Sequence, residues 1–312
     1  MVTNDMSGTA DRRRRYRSGL RSAASWTRRE VDLSWRMNAD NLLVALPPTV
    51  LFAAAAATHN DLPTEALLTG VGKAAVVGLL ALYVFDCANQ IHGGTEDAYN
   101  KPYRPIPAGL ATASGLTRRL WLVMPIYTIL GWVVGALEWV LLWQATVVLH
   151  YRWGSARHYL WWKPFLNCAG LIFPLATGWQ ATAPIDATAW TWILLISPYF
   201  ALAMIYEDVR DMEGDEAVGR RTLALVLGPS LVRGWFAALM VLLPFVFYFA
   251  LARPSGSNDA SELISAALLG TVSWTCAARA LLRHGRSAER LTFQLYFTTL
   301  VITLATAPLL LA

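Results

Sequence analysis

Nine apolar stretches, at roughly 41–58, 70–91, 118–137, 138–151, 163–183, 187–206, 231–252, 261–282 and 291–312, alternate with short polar segments along the chain. Several approach the roughly 20 residues that an α-helix needs to cross a bilayer. Each is therefore read as a spanning helix. The third and fourth run together through Gly135-Ala-Leu-Glu138, which predicts a tight hairpin. The pattern predicts an all-α, polytopic membrane protein in which 41–312 form nine transmembrane helices, preceded by a basic, disordered tail over 1–40.

Composition agrees with that class. Of 312 residues, 55% are hydrophobic and only 15% are charged, with a mean hydropathy of +0.40; soluble domains carry about 25% charge. Placing the N-terminus inside puts every one of the 26 Lys and Arg residues except Lys73 and Arg253 on the cytoplasmic side, as the positive-inside rule expects. The expected location is thus a multi-pass membrane protein, in the inner membrane if the source is bacterial. The net charge of +5 follows from this topology, and no basic element for nucleic-acid recognition accompanies it. The tract from Arg12 to Arg21 reads as a membrane-surface tail that fixes orientation, with a targeting or twin-arginine signal as the alternative. Cys87, Cys168 and Cys276 lie on separate predicted helices and form neither a disulfide framework nor a zinc site.

Two acidic clusters stand where apolar helices end: Asn89 to Asp97, and Glu207 to Asp215. A charge beside hydrocarbon costs about 2.5–3.5 kcal/mol unless paired, hydrated or coordinated, so the clusters mark a polar cavity. On a helix, Asp86, Asn89, Gln90, Gly93 and Asp97 share one face, with Glu96 beside it. Asp208, Asp211 and Asp215 form a second stripe, with Glu207 adjacent. The first cluster follows the second span and the second follows the sixth, an order that suggests a four-helix repeat with the clusters facing each other. Two oxygen-rich stripes suit Mg²⁺, which takes carboxylates together with water and phosphate, with Ca²⁺ as the alternative. The expected ligands are Asn89, Glu96, Asp97, Asp208, Asp211 and Asp215, with Asp97, Asp211 and Asp215 carrying the catalytic role. His92 points off the stripe and is read as a bystander. Lys101-Pro-Tyr-Arg104, Lys163 and Gly219-Arg-Arg221 bring cations to the same membrane face, and Arg104, Lys163 and Arg221 are the candidate diphosphate ligands.

These segments resemble the UbiA superfamily of intramembrane prenyltransferases over about 41–312. The first motif is matched by Asn89, Gly93 and Asp97 followed by Asn100-Lys-Pro-Tyr-Arg-Pro-Ile-Pro107, and the second by Asp208-Val-Arg-Asp211-Met-Glu-Gly-Asp215 followed by Gly219-Arg-Arg-Thr-Leu223. One departure is informative: Gly93 stands where the prenyltransferase motif has its middle Asp. Together with the Glu96-Asp97 pair, this makes the chain look more like the membrane terpene cyclases of the superfamily. The resemblance implies Mg²⁺-assisted loss of diphosphate from an allylic isoprenyl diphosphate, farnesyl diphosphate being favoured, followed by intramolecular attack of the cation on a double bond of its own chain. No protein partner is implied. The alternatives are transfer of the isoprenyl group to an aromatic or other lipophilic acceptor and, outside enzymes, an ion- or proton-coupled transporter; the latter is opposed by acids gathered at one face rather than relayed across the bilayer. An allylic cation needs a dry cavity with aromatic faces, and Tyr83, Phe85, Tyr199 and Tyr206, with Asp86, are the candidate lining. Glu138 and Gln144 are candidates to close it.

Overall fold

The computed structural model describes residues 25–153 and 159–312, and all regular structure among them is helical. The arginine-rich tract 12–21 and Arg157 lie outside the described residues. Helix α1 covers 25–38, and then follow α2 (Leu42–His59), α3 (Thr64–Asn100), α4 (Ala113–Val133), α5 (Leu137–Trp153) and α6 (Tyr159–Gln180). The second half contains α7 (Ala187–Ala203), α8 (Glu207–Ala217), α9 (Leu223–Leu227), α10 (Pro229–Phe247), α11 (Asp259–Leu282) and α12 (Arg286–Leu310). The described residues thus hold more helices than the nine expected. The additions are α1, which precedes the first predicted span, and the short α8 and α9 between the sixth and seventh.

Among the described residues, six segments are long and apolar enough to cross a membrane: α2, α3, α7 continued into α8, α10 with the turns that follow it, α11 and α12. The protein is a multi-pass membrane protein. Arg118 and Arg119 dilute the hydropathy of α4, α5 has only 17 residues, and Lys163 and Asn167 dilute α6. Large apolar side chains such as Trp132, Leu122, Ile264 and Leu309 point outward, which fits a lipid-facing surface and would be an aggregation hazard in water. Where helices cross, small residues permit close approach. At the α2–α6 crossing, a Cβ on Gly178 would stand 2.3 Å from the carbonyl oxygen of Thr49.

Residues 25–38 are not the loose tail expected over 1–40. Leu33 and Met37 of α1 are buried, the Met37 carbonyl accepts from Gln90 Nε2 at 2.8 Å, and Glu30 pairs with Arg119 at 2.7 Å. The hydrogen bond from Arg119 holds the Glu30 carboxyl below its ordinary pKa. The chain turns from α4 to α5 through Gly135, whose φ of +78° is a left-handed conformation that glycine adopts without steric penalty.

Two hydrophobic clusters divide the molecule. One is built by α2, α6, α7 and α10–α12 around Phe52, Trp179, Phe236 and Tyr296, and the other by α3–α6 around Leu116, Tyr127 and Trp143. The functional cavity opens between them. Helix α3 has 37 residues and is about 55 Å long, well beyond a hydrocarbon core of about 30 Å. Its polar C-terminal end can therefore stand clear of the lipid. Helix α7 does the same through the tight turn Met204–Tyr206, which delivers α8 with its acidic stripe to the same end of the bundle.

Candidate active site

A single cavity receives side chains from α2, α3, α5, α6, α8 and α12 and has two unlike ends. At one end lie Glu96, Lys101, Arg104, Lys163, Glu207, Asp211, Asp215 and Arg220. Further in, the lining is mainly apolar, with Ala81, Leu82, Phe85, Trp143, Leu166, Leu171 and Pro174, broken by Asn167. At about 1.5 Å per residue, the run from Asn89 back to Gly78 on α3 and the run from Lys163 to Pro174 on α6 each come to about 16 Å of depth.

The two acidic segments meet at the charged end. Asn100 Nδ2 donates to Glu96 Oε1 at 2.9 Å and to the backbone carbonyl of Asp211 at 3.0 Å, so the end of α3 is docked on α8. Arg220 Nη1 donates to Glu96 Oε2 and Asp215 Oδ1, both at 2.8 Å, and its guanidinium lies 4.2 Å from the centre of the Tyr159 ring. Lys101 Nζ stands 3.4 Å from Glu207 and 3.5 Å from Asp211. Lys163 Nζ reaches Asp208 at 2.5 Å and Glu207 at 3.1 Å. Arg210 spans Glu207 and Asp211 at 2.6–2.8 Å.

Electrostatics keeps the cations Lys101, Arg104 and Arg220 charged. Burial and the neighbouring Arg104 push the Lys101 pKa down, but Asp211 and Glu207 more than offset them and the net direction is up. Arg104 and Arg220 likewise lose by burial and gain more from their carboxylates, Asp97 and Asp40 for the first and Glu96 and Asp215 for the second. Burial pushes the Tyr159 phenol up to about 12, so it stays neutral beneath the Arg220 guanidinium.

The expected site residues divide into groups. Asn89, Glu96, Asp211, Asp215, Arg104 and Lys163 line the cavity. Asp97 and Asp208 are buried behind its wall, each gripping a cation that does line it: Asp97 accepts from Arg104 at 2.9 Å and Asp208 from Lys163. Arg221 is exposed, and Arg220 points inward instead. Of the candidate cavity residues, Phe85 lines the chamber and the others do not. The Tyr83 hydroxyl accepts from Arg119 at 3.4 Å, and Asp86 is fully buried beside Asn41. Tyr199 donates to the Leu239 carbonyl at 2.5 Å and lines a separate crevice, while Tyr206 is bonded to Glu289 and stacked on Phe236. Glu138 accepts from Gln180, and Gln144 donates to the Met124 carbonyl at 2.7 Å, so neither closes the cavity. His92 is exposed and contacts the Tyr151 carbonyl.

Sequence spacing missed Glu207, Lys101, Arg220, Tyr159 and His150 as lining residues. The first two were visible as neighbours of the stripes. His150 sits on α5 near no motif, and its Nδ1 accepts from Trp162 at 2.9 Å.

The donor chemistry at the charged end is that of a hard cation. Seven carboxylates (Asp40, Glu96, Asp97, Glu207, Asp208, Asp211 and Asp215) meet six cations (Lys101, Arg104, Lys163, Arg210, Arg220 and Arg290), so acid is in excess. Among the described residues, no three His, Cys, Asp or Glu side chains converge with metal-ligand geometry, because lysine or arginine already holds each carboxylate.

Gly93 is buried on the α3 face, and a Cβ there would lie 3.3 Å from Asp97 Oδ2. A carboxylate at this position would crowd the Asp97–Arg104 pair.

The chain is 33% identical over 270 residues to a somaliensene A/B synthase of Streptomyces somaliensis, covering 86% of this chain and 89% of that protein. It is 34% identical over 203 residues to the diterpene cyclase eriG of Hericium erinaceus, covering 64% of this chain and 65% of that protein. A solved structure of a digeranylgeranylglyceryl phosphate synthase superposes with a TM-score of 0.57 at 14% identity, over 89% of this chain and 97% of that chain, which is a likeness of fold. The family model described as the UbiA prenyltransferase family matches residues 45–301, and the chain belongs to that family.

Proposed function

We propose that this protein is a membrane terpene cyclase that ionises an allylic isoprenyl diphosphate at the charged end of its cavity and closes a ring of the same chain in the apolar chamber. The observation that carries the reading is the polarity of that one cavity: a cluster of paired acids and bases opens directly into a chamber about 16 Å deep whose wall is mainly apolar. The likeness to a diterpene cyclase supports intramolecular chemistry.

The residues divide the work. Lys101, Arg104, Lys163 and Arg220 are placed to receive the diphosphate as its C–O bond breaks, and fixed cations in a site shielded from water stabilise developing negative charge strongly. Glu96, Glu207, Asp211 and Asp215, with Asn89, are the oxygen donors that would hold Mg²⁺, and its surplus of acid suits the site to a dication. When bound, the metal supplies charge neutralisation for the departing group. Asp97 and Asp208 position Arg104 and Lys163. Phe85 and Trp143, with ring centres 5.7 Å apart, both line the chamber, and aromatic rings there suit a cation.

Farnesyl diphosphate is the proposed donor, and the charged end is proposed to face the cytoplasm. Purified protein with Mg²⁺ and farnesyl diphosphate alone is expected to release diphosphate and a cyclic hydrocarbon or alcohol, read by mass spectrometry. A cyclic product only from a longer donor corrects the substrate and leaves the mechanism. Turnover that requires an added lipophilic acceptor, giving only a coupled product, would assign intermolecular prenyl transfer instead.

A further inference from the structure

The chamber contains an amide whose hydrogen-bonding groups the described residues leave unsatisfied. Three asparagines and one histidine line the cavity. Asn41 donates to Asp86 at 2.6 Å, and Asn89 is paired with His150 at 3.4 Å, which in turn accepts from Trp162. Asn167 differs: its Nδ2 is buried with no partner. An unpaired buried donor costs free energy that a leucine of similar branched shape would not, and an orphan of this kind calls for an explanation.

Position supplies one. Asn167 follows Lys163 by four residues on α6, so it stands on the same face one turn deeper. Gly170, three residues further, packs against Trp143 so closely that a Cβ would lie 3.3 Å from that ring. Asn167 is therefore at the boundary between the cationic end and the aromatic wall. Nδ2 is buried while the side chain is only partly covered and lines the cavity, so the carbonyl is the end of the amide left open to the chamber. The negative pole of a fixed dipole then points to where positive charge develops, and the low dielectric there strengthens its effect.

We infer that Asn167 is a product-determining residue: its amide carbonyl holds the positive charge of the allylic cation near the top of the chamber and so selects which double bond attacks it. This rests on the cyclase reading above. In that reaction the C–O bond leaves with its electron pair on diphosphate, a π pair of the same chain forms the new C–C bond, and a proton passes to the released diphosphate to leave a cyclic olefin. Without the carbonyl, the cation is less well localised and is lost earlier to linear products.

The test compares wild type with Asn167→Leu, which removes the dipole but keeps the branched shape, and Asn167→Gln, which keeps a carbonyl. Cyclic product per diphosphate released is expected to fall about tenfold in Asn167→Leu and to recover substantially in Asn167→Gln, with linear olefins and alcohols taking up the difference. An unchanged ratio and product profile in Asn167→Leu overturns the inference. A second readout needs no turnover: binding of a lipophilic tertiary-ammonium analogue of the chain, with inorganic diphosphate present, relative to its carbon isostere. That preference for the cation is expected to drop about tenfold in Asn167→Leu, and an equal preference in both proteins is an independent refutation. If Asn167→Leu does not accumulate in the membrane, Asn167→Ala is measured in the same two assays. Wild-type protein that forms no cyclic product from any isoprenyl diphosphate defeats the cyclase reading, an outcome distinct from an unaltered product ratio in the variants.

Discussion

Gly214 lies against the side-chain amide of Asn100, where a Cβ would stand 2.3 Å from Nδ2. The same amide bonds Glu96 and the Asp211 backbone. The absence of a side chain at 214 is thus what lets the end of α3 seat on α8 and bring the two acidic stripes together.

Gly214→Ala is accordingly expected to separate the stripes and to reduce product formation by about tenfold or more, near 1.4 kcal/mol of transition-state stabilisation. Asn100→Ala should do the same by removing both bonds, a loss of about 1–3 kcal/mol where buried partners are left unsatisfied. Turnover and thermal unfolding of the detergent-solubilised protein are the measurements. Wild-type turnover in Gly214→Ala would show that the docking contact is dispensable.

Arg220 and Arg221 are adjacent in sequence and unlike in place. Removing Arg220 leaves Glu96 and Asp215 without their shared cation, at a cost of about 3–5 kcal/mol for a broken buried pair. Arg220→Ala should lose product formation by more than about tenfold, whereas Arg221→Ala, at an exposed position, should stay within about twofold of wild type. Steady-state rates of diphosphate release decide it, and equal losses in the two variants would mean that charge at this end serves only membrane insertion.

Gly93→Asp restores the acid of the prenyltransferase motif but places it against Asp97, which Arg104 holds at 2.9 Å and 3.3 Å. Two carboxylates in contact repel unless one is protonated. The expected result is weaker cyclisation, by about tenfold, rather than conversion to acceptor transfer. A coupled product formed by Gly93→Asp with an aromatic acceptor would show that this one position sets the reaction type.

Chelation by EDTA should abolish diphosphate release, and added Mg²⁺ should restore it. Asp211→Asn and Glu207→Gln should each raise the Mg²⁺ concentration needed for half-maximal rate, since both line the cavity beside Lys101. Full activity in EDTA would remove the metal from the proposal.

Much of this protein was legible without coordinates. Apolar runs set between polar segments determine helices, because in lipid a backbone must satisfy its own hydrogen bonds, and each predicted stretch overlaps a helix. The acidic stripes were legible as well, since helical periodicity puts Asn89, Gly93 and Asp97 on one face and Asp208, Asp211 and Asp215 on another. Tertiary structure alone decided what those faces meet. Arg220 rather than Arg221 turns inward because the chain reverses at Gly219, where φ is +66°, and periodicity does not carry through such a turn. Asp97 and Asp208 became holders of Arg104 and Lys163, a matter of which partner the folded chain brings near. Tyr199 and Tyr206 face other helices while Trp143 and Asn167 face the chamber, and no hydropathy pattern separates these cases: lipid, protein interior and substrate cavity are all apolar, so a membrane helix shows where it crosses but not which of its sides looks into the site.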